Sequence, residues 1–551
     1  MRKLPILNLL LVAMCLLLSH SATASSIFCN VPQKADTLRS EEYLNGLDAY
    51  NAGNYTDAVK LWKSAAKKGD AFAQCNLGAC YVSGKGVGQN YNKALSWFRK
   101  SAAQGNDMAQ CNIGNCYHKG YGVKPDVDEA AKWYMLAAEQ GNVIAMTNLG
   151  VCYKLGKGVG IDSVKAFGYL YRAAEKGYPI AWNEVGDCFF YGIGVAQSSD
   201  EAFYWYLKAA EQGLDSAQYN VAMSYAYGDG IAQDYDKAAV WLKKSATQGN
   251  AKAQFALAES YCKGTGVAKD TVQAVMWYEK AALQGHIDAQ YILAGCYYSG
   301  VGVKEDHYKA AEWYAKAAKS GDPDAMCQLA GCYYWGDGAV SDYNRAMALY
   351  NKAAELGCAE AIFCLAEYSV SEYAEEMNMR IAFERYSKAA DMGFVPAYNK
   401  VGNYHYLGLV GEVDYVEAVK WYTQGAEAGD ADAQYNLAQC YYLGHGVEED
   451  KTAAAKWCEK SAGQDNVNAQ YLMGTMYYNK GGFVPQDYTK AVEWYEKAAK
   501  KGHAAAQYDL GICYYYGQGV DQNRDKAIKL WNMAAEQEFD DAIEALKDVR
   551  K

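Results

Sequence analysis

The sequence predicts an all-α fold, an α-solenoid (a right-handed superhelix) built from about thirteen helical hairpins of about 36 residues each. One pattern recurs at a fixed period from Ala71 to Phe539. Within each period, apolar residues follow helical spacing, and paired glycines separate the two helices. A single hairpin cannot bury both of its apolar faces, so each copy is expected to stack on its neighbours.

The unit from Ile287 to Asp322 shows the pattern of both helices. The apolar face of its first helix is formed by Ala289, Leu293, Ala294 and Tyr297. Asp306 is placed to cap the start of the second helix, and Gly321 is placed to end it in a left-handed conformation. The apolar face of the second helix is formed by Ala310, Trp313, Tyr314 and Ala317. Throughout the array the third residue of the unit is Ala and the eighth is Gly or Ala, which lets the two helices approach closely.

Residues 1–24 have the features of a secretory signal peptide. Arg2 and Lys3 are followed by an apolar run from Leu9 to Leu18 and by an Ala-Thr-Ala cleavage site. The run is shorter than the roughly 20 residues that span a bilayer, which argues against the alternative of a membrane anchor. We therefore expect a secreted or periplasmic protein without a membrane span, and the lumen of the endoplasmic reticulum is the alternative compartment.

The remaining chain divides into four parts. We predict a linker at 25–36, an N-terminal capping hairpin at 37–70, thirteen repeats at 71–539 and a C-terminal capping helix at 540–551. Capping elements cover the apolar faces of the terminal repeats, which solenoids need in order to stay soluble.

Three units depart from the pattern in the loop between their helices: Ser369 to Asn378 in the ninth, Gly408 and Gly411 in the tenth, and Gly481, Gly482 and Pro485 in the twelfth. Surface loops accept sequence change readily, so drift is the simpler explanation. The functional alternative is a bend or a docking loop, in which Glu372, Glu375 and Glu376 would form an acidic spot.

Composition limits the class of partner. With 51% hydrophobic and 21% charged residues, the chain has the balance of a folded protein. Its formal net charge is −11, and loss of Arg2 and Lys3 with the leader would give −11 − 2 = −13. A chain of this charge repels a phosphate backbone, so nucleic acid is not expected as a partner.

The repeated pattern reads A-x-A-Q-Y-x-L-(G/A)-x-x-Y-x-x-G-x-G-V-x-x-D-x-x-x-A-x-x-W-Y-x-K-A-A-x-x-G, and it is almost complete in Asp215 to Gly249 and in Ala251 to Gly285. This pattern resembles the Sel-one-like repeat family, a relative of the tetratricopeptide repeat with a longer loop between the helices. The resemblance implies a right-handed superhelix that serves as a protein-interaction scaffold rather than an enzyme. Relatives include adaptors of endoplasmic-reticulum degradation and bacterial periplasmic or secreted proteins, so the family alone does not identify the partner.

The resemblance also implies a binding groove, because first helices line the concave face in the tetratricopeptide relative. Aromatic residues accumulate at the corresponding positions, twelve and thirteen, of the C-terminal half: Tyr298, Tyr334, Trp335, Tyr406, Tyr442, Tyr478 and Tyr515. Tyrosine combines apolar area with a polar tip, and Asn403 and Gln439 at the ninth position could orient a ligand. We expect a protein or peptide segment to bind there, with a glycan as the alternative ligand. The competing explanation is that these rings only pack between repeats.

The cysteine count of 17 in an exported chain raises the question of disulfides. Many of the cysteines occupy one helical position in different units. Equivalent positions on stacked helices lie about 8 to 10 Å apart, beyond the roughly 7 Å reach of a disulfide. Buried thiols are therefore expected. A cysteine-rich secreted subgroup of the family joins its repeats through cysteines, and the nearest analogue of such a disulfide here is the pair Cys358 and Cys364.

The same subgroup is linked to weak β-lactam hydrolysis, which makes an envelope-acting hydrolase of β-lactams or peptidoglycan the alternative function. The nucleophile motif S-x-x-K occurs from Ser64 to Lys67 and from Ser260 to Lys263. Neither copy has the S-D-N or K-T-G motifs that accompany such chemistry, so no catalytic residue is predicted. Histidines occur singly and paired C-x-x-C motifs are missing from the sequence, so no metal or other cofactor is predicted.

Overall fold

The structure is a computed structural model that describes residues 40–371, 378–479 and 485–549. Every regular element within these ranges is an α-helix, which confirms the predicted all-α fold. Several predicted features lie outside the described residues: the signal peptide at 1–24, the linker at 25–36, Glu372, Glu375 and Glu376, and Gly481 with Gly482. In the described part of the chain, none of the helices has the length and apolar character needed to cross a bilayer.

The helices form consecutive hairpins in two compact units, which divide between His286 and Ile287. The N-terminal unit contains α1 (Glu41–Asn51), α2 (Tyr55–Lys67), α3 (Ala71–Ser83), α4 (Tyr91–Ala102), α5 (Asp107–Lys119), α6 (Val127–Glu139), α7 (Val143–Leu155), α8 (Ser163–Glu175), α9 (Pro179–Tyr191), α10 (Ser199–Glu211), α11 (Asp215–Tyr227), α12 (Tyr235–Thr247), α13 (Ala251–Lys263) and α14 (Thr271–Leu283). The C-terminal unit contains α15 (Ile287–Ser299), α16 (His307–Lys319), α17 (Pro323–Trp335), α18 (Tyr343–Glu355), α19 (Ala359–Ser369), α20 (Met379–Asp391), α21 (Val395–Leu407), α22 (Tyr415–Glu427), α23 (Ala431–Leu443), α24 (Lys451–Gly463), α25 (Val467–Tyr478), α26 (Tyr488–Lys500), α27 (Ala504–Tyr516), α28 (Arg524–Ala535) and α29 (Asp540–Val549). Within each unit, every helix packs against the helices that precede and follow it, as in an α-solenoid. Repeats are numbered below from the one that begins at Ala71, so α17 and α18 form the eighth hairpin.

The helix ends follow from local chemistry. Asp306 caps α16 as predicted, because its Oδ1 accepts a hydrogen bond from the Lys309 amide at 3.0 Å. At the end of α17, Gly336 adopts a left-handed φ of 71° and its amide donates back into the helix. The second glycine of that loop, Gly338, is needed for another reason, since a Cβ there would lie 2.1 Å from the His307 carbonyl oxygen. The G-x-G connector thus ends one helix and seats the loop on the preceding hairpin.

The ninth hairpin ends its first helix without a glycine. α19 stops at Ser369, and Arg385 of α20 reaches this end. The Arg385 guanidinium donates to the Leu365 carbonyl at 2.8 Å and to the Ser369 hydroxyl at 2.6 Å, and burial lowers the pKa of Arg385 from its usual range. A cation at a helix C-terminus interacts favourably with the free carbonyls there, so a side chain here takes the place of a glycine such as Gly336 at the end of α17.

The core of each hairpin forms where small residues meet large side chains. The alanines at the third position are fully buried, as the predicted close approach of the helices requires. At the eighth position, a Cβ added to Gly402 would lie 2.5 Å from Cε1 of Tyr422, so the ring lies directly on the helix backbone. Trp313, at the tryptophan position of the second helix, is buried, and Lys316 Nζ lies 3.4 Å from its ring centroid. These residues are explained by packing.

Apolar residues of the outermost described helices pack inward at both ends of the chain. The Trp62 indole of α2 donates to the Tyr43 carbonyl of α1 at 3.1 Å and closes the N-terminal hairpin that precedes the first numbered repeat. At the other end, α29 buries Ala542 and Leu546 against Trp531 of α28. Both elements lie where the sequence predicts capping elements.

Candidate functional site

The first helices of successive hairpins adjoin one another in the C-terminal unit, and their outward side chains form what we call the first-helix face. Contacts between such helices join α17 to α19 and α21 to α23. Hydrogen bonds also link the fifth position of one repeat to the sixth position of the next. Asn436 donates from Nδ2 to Oδ1 of Asn399 over 2.8 Å in this way. The groove predicted from the sequence involves the side chains of this face.

A cavity of about 180 Å³ lies between the tenth and eleventh hairpins. It is lined by Asn403, Tyr406, Leu407, Tyr422, Asn436 and Gln439. Asn403, Tyr406 and Gln439 were predicted from the sequence, and the structure brings them together. Tyr422 was missed because it comes from the second helix, which the periodicity assigns to the core. Leu407 and Asn436 were missed because they are not among the aromatic residues at the twelfth and thirteenth positions.

The amide groups of this cavity are held in a fixed arrangement. Asn403 Oδ1 accepts hydrogen bonds from the Tyr422 hydroxyl at 2.8 Å and from Asn436 Nδ2 at 3.2 Å. Gln439 Nε2 donates to the Tyr435 hydroxyl at 2.7 Å. These contacts leave Asn403 Nδ2 and Gln439 Oε1 without a hydrogen bond to any residue that the structure describes. The cavity therefore offers a ligand the amide donor of Asn403 and the amide acceptor of Gln439.

The pairing of Asn403 with Tyr422 belongs to one of two geometries in the array. Where the eighth residue of the repeat is Gly and the residue against it is a second-helix tyrosine, the hydroxyl bonds a short side chain at the ninth position: Asn115, Asp187, Asn403 or Thr475. Where the eighth residue is Ala and the second helix buries a tyrosine, the ninth residue is Glu or Gly: Glu259, Gly295, Gly331 and Glu367. The tyrosine hydroxyl bonds the carboxylate in both Glu cases. An alanine methyl cannot lie 2.5 Å from a ring carbon, so the ring shifts and a longer partner, or none, fits its hydroxyl.

Tyr406 forms a fixed wall of the cavity. Its hydroxyl hydrogen-bonds to Nδ1 of His445 at 2.9 Å, and its ring lies against that of Tyr415 with centroids 4.9 Å apart. Burial raises the pKa of the Tyr406 hydroxyl above its usual range, so the group stays neutral. The following repeat, which supplies His445, thus orients the Tyr406 side chain.

The other predicted aromatic residues lie outside the cavity: Tyr298, Tyr334, Trp335, Tyr442, Tyr478 and Tyr515. Tyr298 stacks on His307 with ring centroids 4.6 Å apart, and a hydrogen bond to Asp337 raises the pKa of its hydroxyl. Tyr478 donates its hydroxyl to Oε1 of Gln518 at 2.7 Å. Asp337 and Gln518 are the middle residues of the next G-x-G loop, so these tyrosines contact the following repeat. This geometry fits the alternative in which the rings pack between repeats.

Exposed apolar surface is more pronounced at the thirteenth position than at the twelfth. Trp335 is 76% exposed, and Leu407, Leu443 and Tyr516 at the same position are also exposed. At the twelfth position, Tyr442 is 39% exposed and stands in no ring pair among the described residues. The residues at the twelfth and thirteenth positions therefore divide into rings that connect repeats and side chains that face solvent.

The two S-x-x-K segments serve local structure. The Ser260 hydroxyl donates to the Ala256 carbonyl at 3.0 Å, and Lys263 pairs with Glu259. Lys68, and to a smaller extent the Ser64 hydroxyl, lower the pKa of the Glu42 carboxyl. In the described parts of the chain, no group of three or more His, Cys, Asp or Glu side chains could hold a metal ion.

The predicted disulfide partners Cys358 and Cys364 are both thiols in this structure. A third thiol, that of Cys327, shares a hydrogen bond with each of them. The pairing of Cys358 with Cys364 stays a prediction. Sequence spacing did not reveal Cys327 because it belongs to the preceding repeat.

Comparison with known proteins identifies the repeat. The Sel1 repeat family model matches residues 39–70, 71–106, 107–142, 143–178, 180–214, 215–250, 251–286, 287–322, 323–358, 395–430, 431–466, 467–503 and 504–539. The matches include the N-terminal hairpin of α1 and α2 at 39–70. The unmatched stretch between 358 and 395 is the ninth hairpin, in which Arg385 takes the place of the loop glycines.

Two solved structures illustrate the similarity. One is c5321, a protective antigen present in uropathogenic Escherichia coli strains that displays an SLR fold; it is 30% identical, covers 82% of this chain and 92% of that chain, and has a TM-score of 0.63. The other, a Sel1 repeat protein from Oxalobacter formigenes, is 33% identical over 44% of this chain and 97% of that chain, with a TM-score of 0.42. Among curated proteins, none matches the chain. Because the family model covers most of the sequence, the chain belongs to the Sel1 repeat family.

Proposed function

We propose that the chain is an exported interaction scaffold that binds a protein segment in extended conformation on the first-helix face of its C-terminal unit. Sel1 repeat proteins are generally protein-interaction scaffolds, which supports the class of function. The observation that carries the proposal is the cavity between the tenth and eleventh hairpins, where Asn403 Nδ2 and Gln439 Oε1 are open to a ligand beside the ring of Tyr406.

The chemistry of this cavity suits an extended peptide. Each peptide group carries one N–H and one C=O, which an extended segment leaves available along its edges. Asn403 Nδ2 can donate to a backbone carbonyl, and Gln439 Oε1 can accept from a backbone amide. Tyr406 and the exposed Leu407 supply apolar area for a neighbouring side chain.

The size of the cavity also favours a peptide over a small molecule. Sites that enclose small molecules have volumes of about 300 to 1,000 Å³, whereas this cavity has about 180 Å³. A ligand anchored here must therefore extend beyond the cavity. The exposed side chains at the thirteenth position, such as Leu407 and Leu443, provide apolar surface for the rest of a segment.

Export is the second part of the proposal. It is supported by the signal-peptide features of residues 1–24, with an Ala-Thr-Ala cleavage site that would leave Ser25 as the first residue. The expected compartment is the periplasm or the extracellular medium, with the lumen of the endoplasmic reticulum as the alternative. Sequencing the N terminus of the chain purified from its native host tests this point, and retention of residues 1–24 would contradict it.

A selected peptide supplies the ligand for the binding test. A random peptide library displayed on phage is selected against the full chain, and the affinity of the selected peptide is measured by fluorescence anisotropy. Asn403→Ala and Gln439→Ala should each weaken binding about fivefold, because a hydrogen bond contributes roughly 1 kcal/mol net. Glycans screened in parallel test the alternative ligand. Glycan binding that depends on Asn403, with no peptide selected, would replace the peptide proposal.

Asn115 provides the matched control for this test. It holds the ninth position of the second hairpin and accepts the same two hydrogen bonds as Asn403, from the Tyr134 hydroxyl at 2.8 Å and from Asn148 Nδ2 at 3.2 Å. Asn115→Ala makes the same chemical change in the other unit, so it should leave peptide affinity unchanged. Equal weakening by Asn115→Ala and Asn403→Ala, or full affinity in both cavity variants, would refute the assignment of the cavity.

A further inference from the structure

Three cysteines meet where the ninth hairpin packs on the eighth. Cys327 lies on α17, Cys358 directly precedes α19, and Cys364 lies on α19. The Cys327 thiol shares hydrogen bonds with the thiols of Cys358 and Cys364. Cys327 and Cys358 are 2% and 4% exposed, whereas Cys364 is partly exposed. By residue exposure, Cys364 is the most accessible cysteine of the cluster.

The contact between Cys327 and Cys364 follows from their places in the repeat. Cys327 holds the fifth position of one repeat and Cys364 the sixth position of the next. Side chains at this pair of positions touch elsewhere in the array: Asn183 and Asn220 at 3.0 Å, Asn399 and Asn436 at 2.8 Å, and Cys75 and Asn112 at 3.6 Å. The sequence places cysteine at both positions only at the junction of the eighth and ninth hairpins. The two positions whose side chains form a hydrogen bond elsewhere in the array thus carry two thiols here.

We propose that Cys327 and Cys364 form a reversible disulfide that joins α17 to α19, while Cys358 remains a thiol. This inference does not depend on peptide binding between the tenth and eleventh hairpins. It also differs from the pairing of Cys358 with Cys364 that the family resemblance suggests, and the two pairings give different products. Two adjacent thiols can be joined by oxidation, so redox chemistry is the reactivity that we assign to the cluster.

The reaction requires an oxidant, which we identify by class as a disulfide, either of a thiol–disulfide oxidoreductase or of glutathione. The hydrogen bond from Cys327 lowers the pKa of Cys364, which favours its thiolate as the attacking group. That thiolate attacks one sulfur of the oxidant, forms a mixed disulfide and expels the other sulfur as a thiol. Cys327 then gives up its proton and attacks Cys364 Sγ, which expels the second sulfur of the oxidant. The two electrons and two protons of the protein thiols end on the oxidant, which leaves as two thiols.

The position of this disulfide gives it a structural role. The ninth hairpin is the one in which Arg385 replaces the loop glycines and which the family model does not match. A disulfide between α17 and α19 would fix this divergent hairpin to the regular eighth one. It would hold two first helices together on the same face that presents Trp335. Oxidation would therefore stabilise the array at its least regular described hairpin.

Peptide mapping of the oxidised full chain tests the proposal. The protein is equilibrated with glutathione disulfide, remaining thiols are alkylated, and proteolytic fragments are identified by mass spectrometry. We expect a fragment in which Cys327 is linked to Cys364, alkylation of Cys358, and loss of the link after dithiothreitol treatment. The wild-type map needs no substitution, so its result does not depend on whether a variant folds.

Single substitutions then distinguish the pairings. Cys358→Ser should keep the link and Cys364→Ser should abolish it. Cys332→Ser changes another buried thiol of α17 and serves as the control that leaves the link intact. Oxidised wild type should unfold at a higher temperature than reduced wild type, and this shift should disappear in Cys364→Ser. A link between Cys358 and Cys364, a link between Cys327 and Cys358, or alkylation of all three cysteines after oxidation would overturn the proposal.

Discussion

Gly402→Ala tests how the tenth hairpin shapes the cavity. The new Cβ would lie 2.5 Å from Cε1 and 2.6 Å from Cδ1 of Tyr422, whereas nonbonded carbon atoms prefer about 3.5 to 4.0 Å. The ring must therefore move by about 1 Å. Its hydroxyl, now 2.8 Å from Oδ1 of Asn403, would lose that hydrogen bond. The substitution thus changes packing and the cavity wall together.

Three contributions set the expected change in the free energy of unfolding. Overpacking costs about 1 to 3 kcal/mol and the lost hydrogen bond about 1 kcal/mol. The greater helix propensity of Ala offsets about 1 kcal/mol. We therefore expect Gly402→Ala to destabilise the C-terminal unit by about 1 to 3 kcal/mol. Gly168→Ala in α8 is the control, because its added Cβ has no atom within 4 Å, and it should stabilise by about 1 kcal/mol.

A second substitution makes the test more specific. The ninth hairpin combines Ala366 with Glu367, and the Tyr386 hydroxyl bonds that glutamate. The double variant Gly402→Ala with Asn403→Glu recreates this combination in the tenth hairpin. It should recover about 1 kcal/mol relative to Gly402→Ala alone, because the displaced hydroxyl regains a partner. The same variant removes the Asn403 amide donor, so it should fold better and still fail to bind the selected peptide.

Equilibrium urea unfolding followed by circular dichroism measures these differences. Repeat arrays can unfold in more than one step, so the same transition must be compared among the variants. Equal stability of Gly402→Ala and Gly168→Ala would refute the claim that the eighth residue positions the ring. A double variant no more stable than Gly402→Ala alone would refute the pairing of the eighth and ninth positions.

Two charged groups supply the remaining predictions. Burial raises the pKa of Asp509 to about 6, above the value near 4 of an unfolded chain, so the folded state binds the proton more tightly. The contribution of Asp509 to stability should therefore be largest below about pH 4 and be lost as pH rises through about 6. Relative to wild type, Asp509→Asn should add about 1 to 2 kcal/mol at neutral pH and little below about pH 4, as measured by urea unfolding across that range. Lys154 is 15% exposed at its side chain and lies 2.6 Å from Glu184 and 3.7 Å from Asp187. Lys154→Met leaves these carboxylates without their cation and should cost about 3 kcal/mol in the same assay; an unchanged midpoint would contradict the prediction.

The fold could be predicted from the sequence because its causes are local. Asp306 caps α16 through an amide three residues away, and Gly321 adopts the positive φ of 98° that its place at a helix end requires. The small residue at the eighth position is likewise explained by the ring that it faces. Each of these causes acts within one hairpin, so the period of the sequence makes it visible.

Contacts between repeats limited the prediction of the site. Helical spacing indicated that Tyr298 is not needed in the core of its own hairpin, but it could not show that the hydroxyl bonds Asp337 of the next repeat. Asn403 and Gln439 were predictable because the ninth position faces away from the buried Ala and Leu. Cys327 was missed because only cysteines at the same position of stacked helices were compared. The contact of Cys327 with Cys364 instead joins the fifth position of one repeat to the sixth position of the next.

These contacts between repeats also determine where function can differ from one part of the array to another. The third-position alanines have the same role in every hairpin, so they cannot distinguish one surface from another. The pair of fifth and sixth positions varies, and it forms an amide contact beside the cavity but a thiol pair at Cys327 and Cys364. Each hairpin contacts only its neighbours, so a change at one such pair alters a single junction while the others keep their geometry. A binding cavity and a redox-sensitive junction can therefore coexist in the C-terminal unit.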